Sequence, residues 1–414
     1  MEKLLIYIVA FNHEKFIEKV LERIDKKIFD KFDTEILVND DSSEDNTLRI
    51  LKNYEQKISS EKCRFKILSN PQNLGYGGNQ KIGYHYAIKY NFDYVALLHG
   101  DGQYAPELLE ELIDEMKTKK AMAVFGSRMI NKGGALKGGM PLYKFIGNKI
   151  LTFIQNKVLS SNLSEFHSGY RVYSVQSLKE IPFNMNSNDY SFDTEIIIQL
   201  LLSKKKIVEY PIPTYYGEEI SYVNGLYYAY QILLETLKAK VQKYNIFYDK
   251  KYDLENGEFN YQIKEKFESP HSKAIELINN NSNILDLGCN DGSLGNILKE
   301  KKNCKVVGVD NFIDKPKYVL DQFIKCDLDK ELPEVDYNKF DYIIMLDVIE
   351  HLKYPEEFLD KLYKKISANE KVEILISTAN ISFFPMRIMH LFGSFNYGKR
   401  GILDKTHTRL FTFS

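Results

Sequence analysis

Twice along this chain, short apolar runs alternate with helix-period segments. The two stretches are separated by a charged, tyrosine-rich segment at Lys238–Glu268. Alternation of this kind is the signal for a largely parallel sheet covered by helices. Two such stretches in 414 residues predict two α/β domains, 1–237 and 269–414, with 238–268 as the linker. In the first, strands are expected at 4–10, 35–39, 64–68, 94–98 and 122–126, and helices at 14–27, 45–58, 78–90 and 106–118. A helix at Asp193–Leu202 and a strand at Lys206–Pro211 follow. In the second, strands are expected at 283–287, 305–309, 341–346 and 371–377, and helices at 271–280, 293–301 and 355–366.

Bulk properties exclude several classes. A formal net charge of -1 does not suit a nucleic-acid binder held by overall charge. The 4 cysteines are scattered with no CxxC pair, as in a reduced cytosolic protein. Leu4–Phe11 is too short to span a membrane and has no signal-cleavage region after it. The stretch Tyr222–Val241 is apolar at helical spacing. Its stripe either packs on its own domain or lies on a membrane surface, and the first reading is preferred.

Acids cluster where such sheets bind ligands, at the C-terminal ends of strands. Asp40 and Asp41 follow the run Glu35–Val38; they read as acceptors for a base or ribose, or as part of a turn and helix cap with Ser43, Asp45 and Asn46. Asp101, with Gln103 two residues on, follows another apolar strand and offers oxygen ligands for Mg²⁺ or Mn²⁺ on a diphosphate. Arg128 follows a further strand and reads either as a phosphate ligand or as a surface arginine.

Six ordered motifs, from Val9–Glu14, Asp40–Thr47, Asn73–Gly78 and His99–Tyr104 to Gly126–Arg128 and His167–Arg171, resemble the family-2 glycosyltransferases of GT-A fold. The dolichyl-phosphate-mannose-synthase-like branch is the nearest in pattern, over about residues 1–235. The resemblance implies donor contacts from Asn12, Glu14, Asp40, Asp41, Gly75, Arg128 and Arg171, and metal contacts from Asp101 and Gln103. His99 stands where the family has the first acid of Asp-x-Asp. It has three roles open to it: metal ligand, phosphate contact, or structural. Asp193 and Glu195 are base candidates for a hydroxyl acceptor, with Asp193 alternatively an N-cap. A lipid-phosphate acceptor is already an anion and needs no base.

In the second half, Ile284–Gly292 is a strand running into a glycine turn, with Asp310 ending the next strand and Asp327 after it. With Asp347–Leu352 these residues resemble a class I S-adenosylmethionine-dependent methyltransferase of Rossmann-like fold over about 269–414. Asn290 replaces the second glycine of the usual triplet, a change that asparagine tolerates at positive φ. The resemblance implies that Asp286 and Gly288 border the methionine part, Asp310 holds the ribose and Asp327 the adenine, with Gly292 also in the cofactor site. His351 is the candidate base, or merely orients the acceptor. The family normally continues beyond a segment like Gly401–Thr412, so an incomplete sheet with an open edge is expected.

The combined expectation is a bifunctional enzyme in bacterial surface-glycan synthesis. It would join a sugar-nucleotide-dependent, inverting transferase acting on a glycan or polyprenyl-phosphate acceptor to a methyltransferase. It would be cytoplasmic, at the inner face of the membrane, and peripherally associated with it. The alternative keeps the glycosyltransferase and makes the second half a binding or scaffolding module.

Overall fold

The computed structural model describes residues 1–58, 63–217, 224–242, 244, 246–254, 268–366 and 371–412. The described residues fall into two compact units. One comprises Met1–Lys243 with Asp249–Asn256, the other Tyr244–Tyr248 with Gly257–Ser414.

The first unit is built on a sheet of β1 (Lys3–Ala10), β2 (Asp33–Asp40), β3 (Arg64–Ser69), β4 (Tyr94–His99), β5 (Ala123–Ser127), β6 (Arg171–Ser174) and β7 (Ile207–Pro211). Their order is β3-β2-β1-β4-β6-β5-β7, parallel except for β6, which runs antiparallel to β4 and β5. Around it lie α1 (Ile17–Glu22), α2 (Ile28–Lys31), α3 (Thr47–Ile58), α4 (Tyr76–Lys89), α5 (Leu109–Thr118), α6 (Gly134–Lys137), α7 (Leu142–Leu159), α8 (Val175–Lys179), α9 (Phe192–Leu202) and α10 (Gly225–Gln242).

The central strand β1 is apolar at every position from Leu4 to Ala10 because both faces of the sheet are covered. Leu4, Ile6 and Ile8 enter one core, and Leu5, Tyr7 and Val9 the other, as the two-residue period of a strand requires. Helix α4 lies so close over Tyr7 that a Cβ at Gly83 would fall 2.4 Å from its ring. The segment expected as one helix at 14–27 is instead the short α1, with α2 beginning only at Ile28. Asn12 (φ 56°) sets the entry, and the loop around it is laced to the neighbouring loop 42–47.

The second unit has an all-parallel sheet of β8 (Asn283–Leu287), β9 (Lys305–Asp310), β10 (Gln322–Lys325), β11 (Tyr342–Leu346) and β12 (Glu373–Ser377), ordered β10-β9-β8-β11-β12. Helices α11 (Pro270–Leu277), α12 (Ser293–Lys302), α13 (Pro355–Ile366) and α14 (Phe384–Leu391) accompany it. Strand order reverses between β8 and β11, which puts the ligand crevice of such a sheet at the C-terminal ends of those strands. Both units thus have the α/β architecture expected, a mixed GT-A-type sheet followed by a Rossmann-like one.

The linker read at 238–268 lies partly outside the described residues. Within them, α10 continues to Gln242, and Lys251 and Tyr252 are buried in the first unit. No described helix is long and apolar enough to cross a membrane.

Candidate functional site

Parallel pairing brings three strand ends together in the first unit. Ala10 pairs with Asp40 and Val9 with His99, so Asn12, His13, Asp40, Asp41 and Asp101 gather at one edge. Asp41 is committed to shaping this edge: its carboxylate accepts from Asn70 Nδ2 (2.6 Å), Leu74 N (2.9 Å) and Gly75 N (3.1 Å). Gly75 takes φ 81° there, and a Cβ on it would meet Asn188 O at 2.5 Å. Asn12 and Glu14 are likewise engaged, Asn12 Oδ1 with Glu44 N and Glu14 Oε2 with Asn46. Asp40 differs. Its Oδ2 accepts from Ser43 N, while its Oδ1 is buried with no hydrogen-bond partner among the described residues. His13 Nδ1 is in the same position, and burial depresses its pKa. Buried polar atoms are rarely left unpaired, so these two mark a place for a polar ligand.

Asp101 Oδ1 accepts from Gln103 N (3.1 Å) in the turn after β4. His99 points the other way. Its Nε2 lies 3.0 Å from Tyr76 Oη, and Tyr76 donates to Asp193 Oδ2 at 3.0 Å. With the Tyr76 proton spent on Asp193, the His99 nitrogen carries its own proton and donates. Burial pushes the His99 pKa down to about 4. His99 thus stands in a hydrogen-bonded chain with Tyr76 and Asp193. Among the described residues no three His, Cys, Asp or Glu side chains converge as a metal cage.

The predicted arginines are buried. Arg128 chelates Glu165: its backbone N reaches Oε2 at 2.8 Å, and Nε and Nη2 both reach Oε1. Burial alone would raise the Glu165 pKa, but Arg128 outweighs it and the carboxyl is held below its usual range. Arg171, fully buried, donates to Ser168 O, Phe166 O and Asp193 O and lies 3.3 Å from Asp193 Oδ2. The helix start is Ser191, so Asp193 sits inside the first turn of α9 rather than capping it. Gln80 donates to its Oδ1 at 3.0 Å. Glu195 faces elsewhere, accepting from Ser187 N (2.6 Å) and Lys251 Nζ (2.9 Å).

Sequence reasoning missed Tyr76, Glu165, His167 and Lys251. His167 Nδ1 meets Tyr228 Oη of α10 at 3.0 Å, its Nε2 is buried without a partner, and burial pushes its pKa down to about 4. Tyr76 and His167 stand inside motifs that were legible, and only the roles escaped. Lys251 bridges the buried Glu195 and Glu235 (2.6 Å) from a stretch without any pattern.

In the second unit the glycine turn forms as expected. Gly288, Asn290 and Gly292 all take positive φ, and a Cβ at Gly288 would meet Val348 at 2.5 Å. Asp310 accepts from Asn290 N (2.9 Å) and Phe312 N (2.8 Å), which ties β9 to the turn. Asp286 is buried at the end of β8. Burial first, and then the neighbouring Asp310, push its pKa up to about 7. Asp327 is salt-bridged to Lys330 at 2.9 Å. His351 lies edge-on to His407, ring centroids 4.7 Å apart, and Thr408 N and Arg409 N both donate to Glu350 O.

Comparison with known proteins agrees with this division. Residues 5–182 match the family model "Glycosyl transferase family 2", and residues 259–412 match "Methyltransferase domain". An uncharacterised protein of Methanocaldococcus jannaschii is 30% identical over 241 residues, 58% of this chain and 93% of its own length. A UDP-N-acetylglucosamine–dolichyl-phosphate N-acetylglucosaminyltransferase of Methanococcus voltae is 29% identical over 52% of this chain and 87% of its own. An undecaprenyl-phosphate mannosyltransferase of Micrococcus luteus is 25% identical over 51% and 82%. The chain belongs to glycosyltransferase family 2 through its first unit and carries a methyltransferase domain after it.

Proposed function

We propose that the first domain moves a sugar, with inversion, from a nucleoside-diphosphate donor to a polyprenyl-phosphate acceptor. The observation that carries this reading is the state of the two candidate bases. Glu195 is consumed by Lys251 and Ser187, and Asp193 by Arg171, Tyr76 and Gln80. An acceptor hydroxyl needs a base as it attacks; a phosphate oxygen does not. Two of the relatives are named for dolichyl- or undecaprenyl-phosphate acceptors, which supports the same choice.

The acceptor's phosphate oxygen bonds to the anomeric carbon as the bond from that carbon to the donor diphosphate breaks. The nucleoside diphosphate leaves from the opposite face. Asp40 Oδ1 is the atom best suited to accept from the donor's base or ribose. A Mg²⁺ or Mn²⁺ ion would be held by Asp101 together with the donor's own phosphate oxygens, as such ions commonly are, and would neutralise the leaving diphosphate. His99, turned to Tyr76, is outside that ligand set. Arg128 and Arg171 act by positioning, holding the Glu165 and Asp193 segments in place.

The second domain is proposed to bind S-adenosylmethionine at the Gly288–Gly292 turn, with Asp310 on the ribose and Asp286 facing the cationic methionine part. His351, paired with His407, would orient the methyl acceptor. The fused activities fit one pathway, assembly of a methylated surface glycan in a bacterium. The test offers a panel of sugar nucleotides with a short polyprenyl phosphate and, separately, the matching polyprenol. Transfer to the phosphate alone is expected. Equal transfer to the neutral alcohol would require a general base at the site and would overturn the reading.

A further inference from the structure

Helices α7 and α10 pack against each other, and both carry large apolar side chains on their outward faces. On α7 the buried positions are Asn148, Thr152 and Gln155, while Ile146, Ile150 (53% exposed) and Phe153 (67% exposed) face outward. On α10 Ile232, Glu235, Thr236, Ala239 and Gln242 are buried, while Leu226 (87% exposed), Tyr230, Leu234 and Leu237 face outward at helical spacing. A helix on a water-soluble surface normally shows the reverse pattern.

Inward polar groups on each helix are tied to the body of the domain, which opposes a roll that would bury the apolar stripe. Asn148 Nδ2 donates to Glu165 Oε1 (2.8 Å), the carboxylate that holds Arg128. Asn156 Nδ2 donates to Leu163 O (2.7 Å) and its Oδ1 accepts from Leu163 N (2.9 Å). On α10 Glu235 is held by Lys251 and by Tyr252 Oη (2.8 Å), and Tyr228 meets His167. The outward apolar face is thus the back of the helices whose inner faces support the site.

Charge identifies the occupant. Over their 18 residues each, α7 and α10 carry Lys144, Lys149, Lys157, Lys238 and Lys240. Their only acid is Glu235, which is buried and ion-paired. The chain as a whole is near neutral. An apolar stripe flanked by lysines, with tyrosines along it, matches an anionic lipid surface: rings and aliphatic side chains enter the headgroup boundary and lysines meet phosphates.

We propose that the paired outward faces of α7 and α10 are the surface by which this enzyme lies on an anionic bilayer. The purpose of such docking rests on the lipid-phosphate reading above, since it would bring the transferase to its acceptor. Its geometry does not rest on that reading.

The test is flotation of the full chain with vesicles of phosphatidylcholine and phosphatidylglycerol in equal parts, and with phosphatidylcholine alone. Binding to the anionic vesicles is expected, weakening with salt. Ile150→Glu and Leu234→Glu should each weaken it about tenfold or more. Lys149→Ala should weaken it about fivefold. Circular dichroism should show each variant folded. Sugar transfer to a short, water-soluble polyprenyl phosphate should be unchanged in all three. Undiminished vesicle binding by Ile150→Glu/Leu234→Glu would overturn the proposal. So would a dimer in solution that those substitutions dissociate, because a protein would then cover the face. Loss of transfer to every lipid phosphate, with vesicle binding intact, would instead overturn the acceptor reading and leave the docking surface standing.

Discussion

The acids of the two sites are handled in opposite ways. In the first unit the buried carboxylates behind the donor edge meet cations, Glu165 with Arg128, Asp193 with Arg171, and Glu195 and Glu235 sharing Lys251, while Asp40 and Asp41 at the edge are held by neutral donors. In the second, Asp286 and Asp310 are like-charged neighbours, and the Asp286 pKa rises to about 7. A self-neutralised site is a rigid frame that binds through the few polar atoms it leaves over, such as Asp40 Oδ1. On the reading proposed above, the ligand would be the missing partner of this pair of acids, with its sulfonium and ammonium groups supplying the cations.

Breaking the frame should produce the largest effect. Arg128→Met leaves Glu165 buried without its cation, and should cost about 3–5 kcal/mol, read from urea unfolding by circular dichroism. Arg128→Met combined with Glu165→Gln should cost clearly less, because the orphaned charge is gone. Lys251→Met comes next, at about 3 kcal/mol, since Lys238 still neutralises Glu235. A cost near zero would show that residues 249–254 do not belong to the first unit.

Smaller effects should appear on the other side of the comparison. Asp310→Ala should weaken S-adenosylmethionine binding about ten- to hundredfold through the lost charged hydrogen bonds, with nucleotide binding untouched. The pH response should then separate the two sites. Asp286 has a folded pKa above its ordinary value, so the free folded state holds more protons than the unfolded one between about pH 4 and pH 7. Stability of the unliganded second unit should fall as pH rises through that window. A cationic ligand favours the ionised form, so its affinity should drop by up to about tenfold per unit as pH falls below about 7. Asp286→Asn should flatten both profiles. The smallest effect is expected at His99. Because its pKa lies near 4, it stays neutral from pH 5 to 8, and His99→Gln should leave the pH profile of nucleotide binding unchanged.

Which parts were legible in the sequence follows from the same physics. β1 was plain because a strand covered on both faces is continuously apolar. The Gly288–Gly292 turn was plain because its backbone needs positive φ. β6 escaped because Arg171–Ser174 is short and antiparallel, and its arginine looks like a surface residue. α7 escaped, and α10 packs on its own domain through Ile232 and Ala239 while Leu226, Tyr230, Leu234 and Leu237 stay exposed. Apolar periodicity fixes the existence of a stripe but not which side is wet, and on α7 the buried positions are polar. Lys251 left no signal, because one lysine in a charged stretch becomes a buried ion pair only through tertiary structure.

The most direct test is calorimetric titration of the full chain with UDP and with GDP, each with and without Mn²⁺, followed by S-adenosylmethionine. The account predicts metal-dependent binding of one nucleotide, abolished by Asp101→Ala, and independent binding of S-adenosylmethionine that survives that substitution. A folded chain that binds neither nucleotide would contradict it.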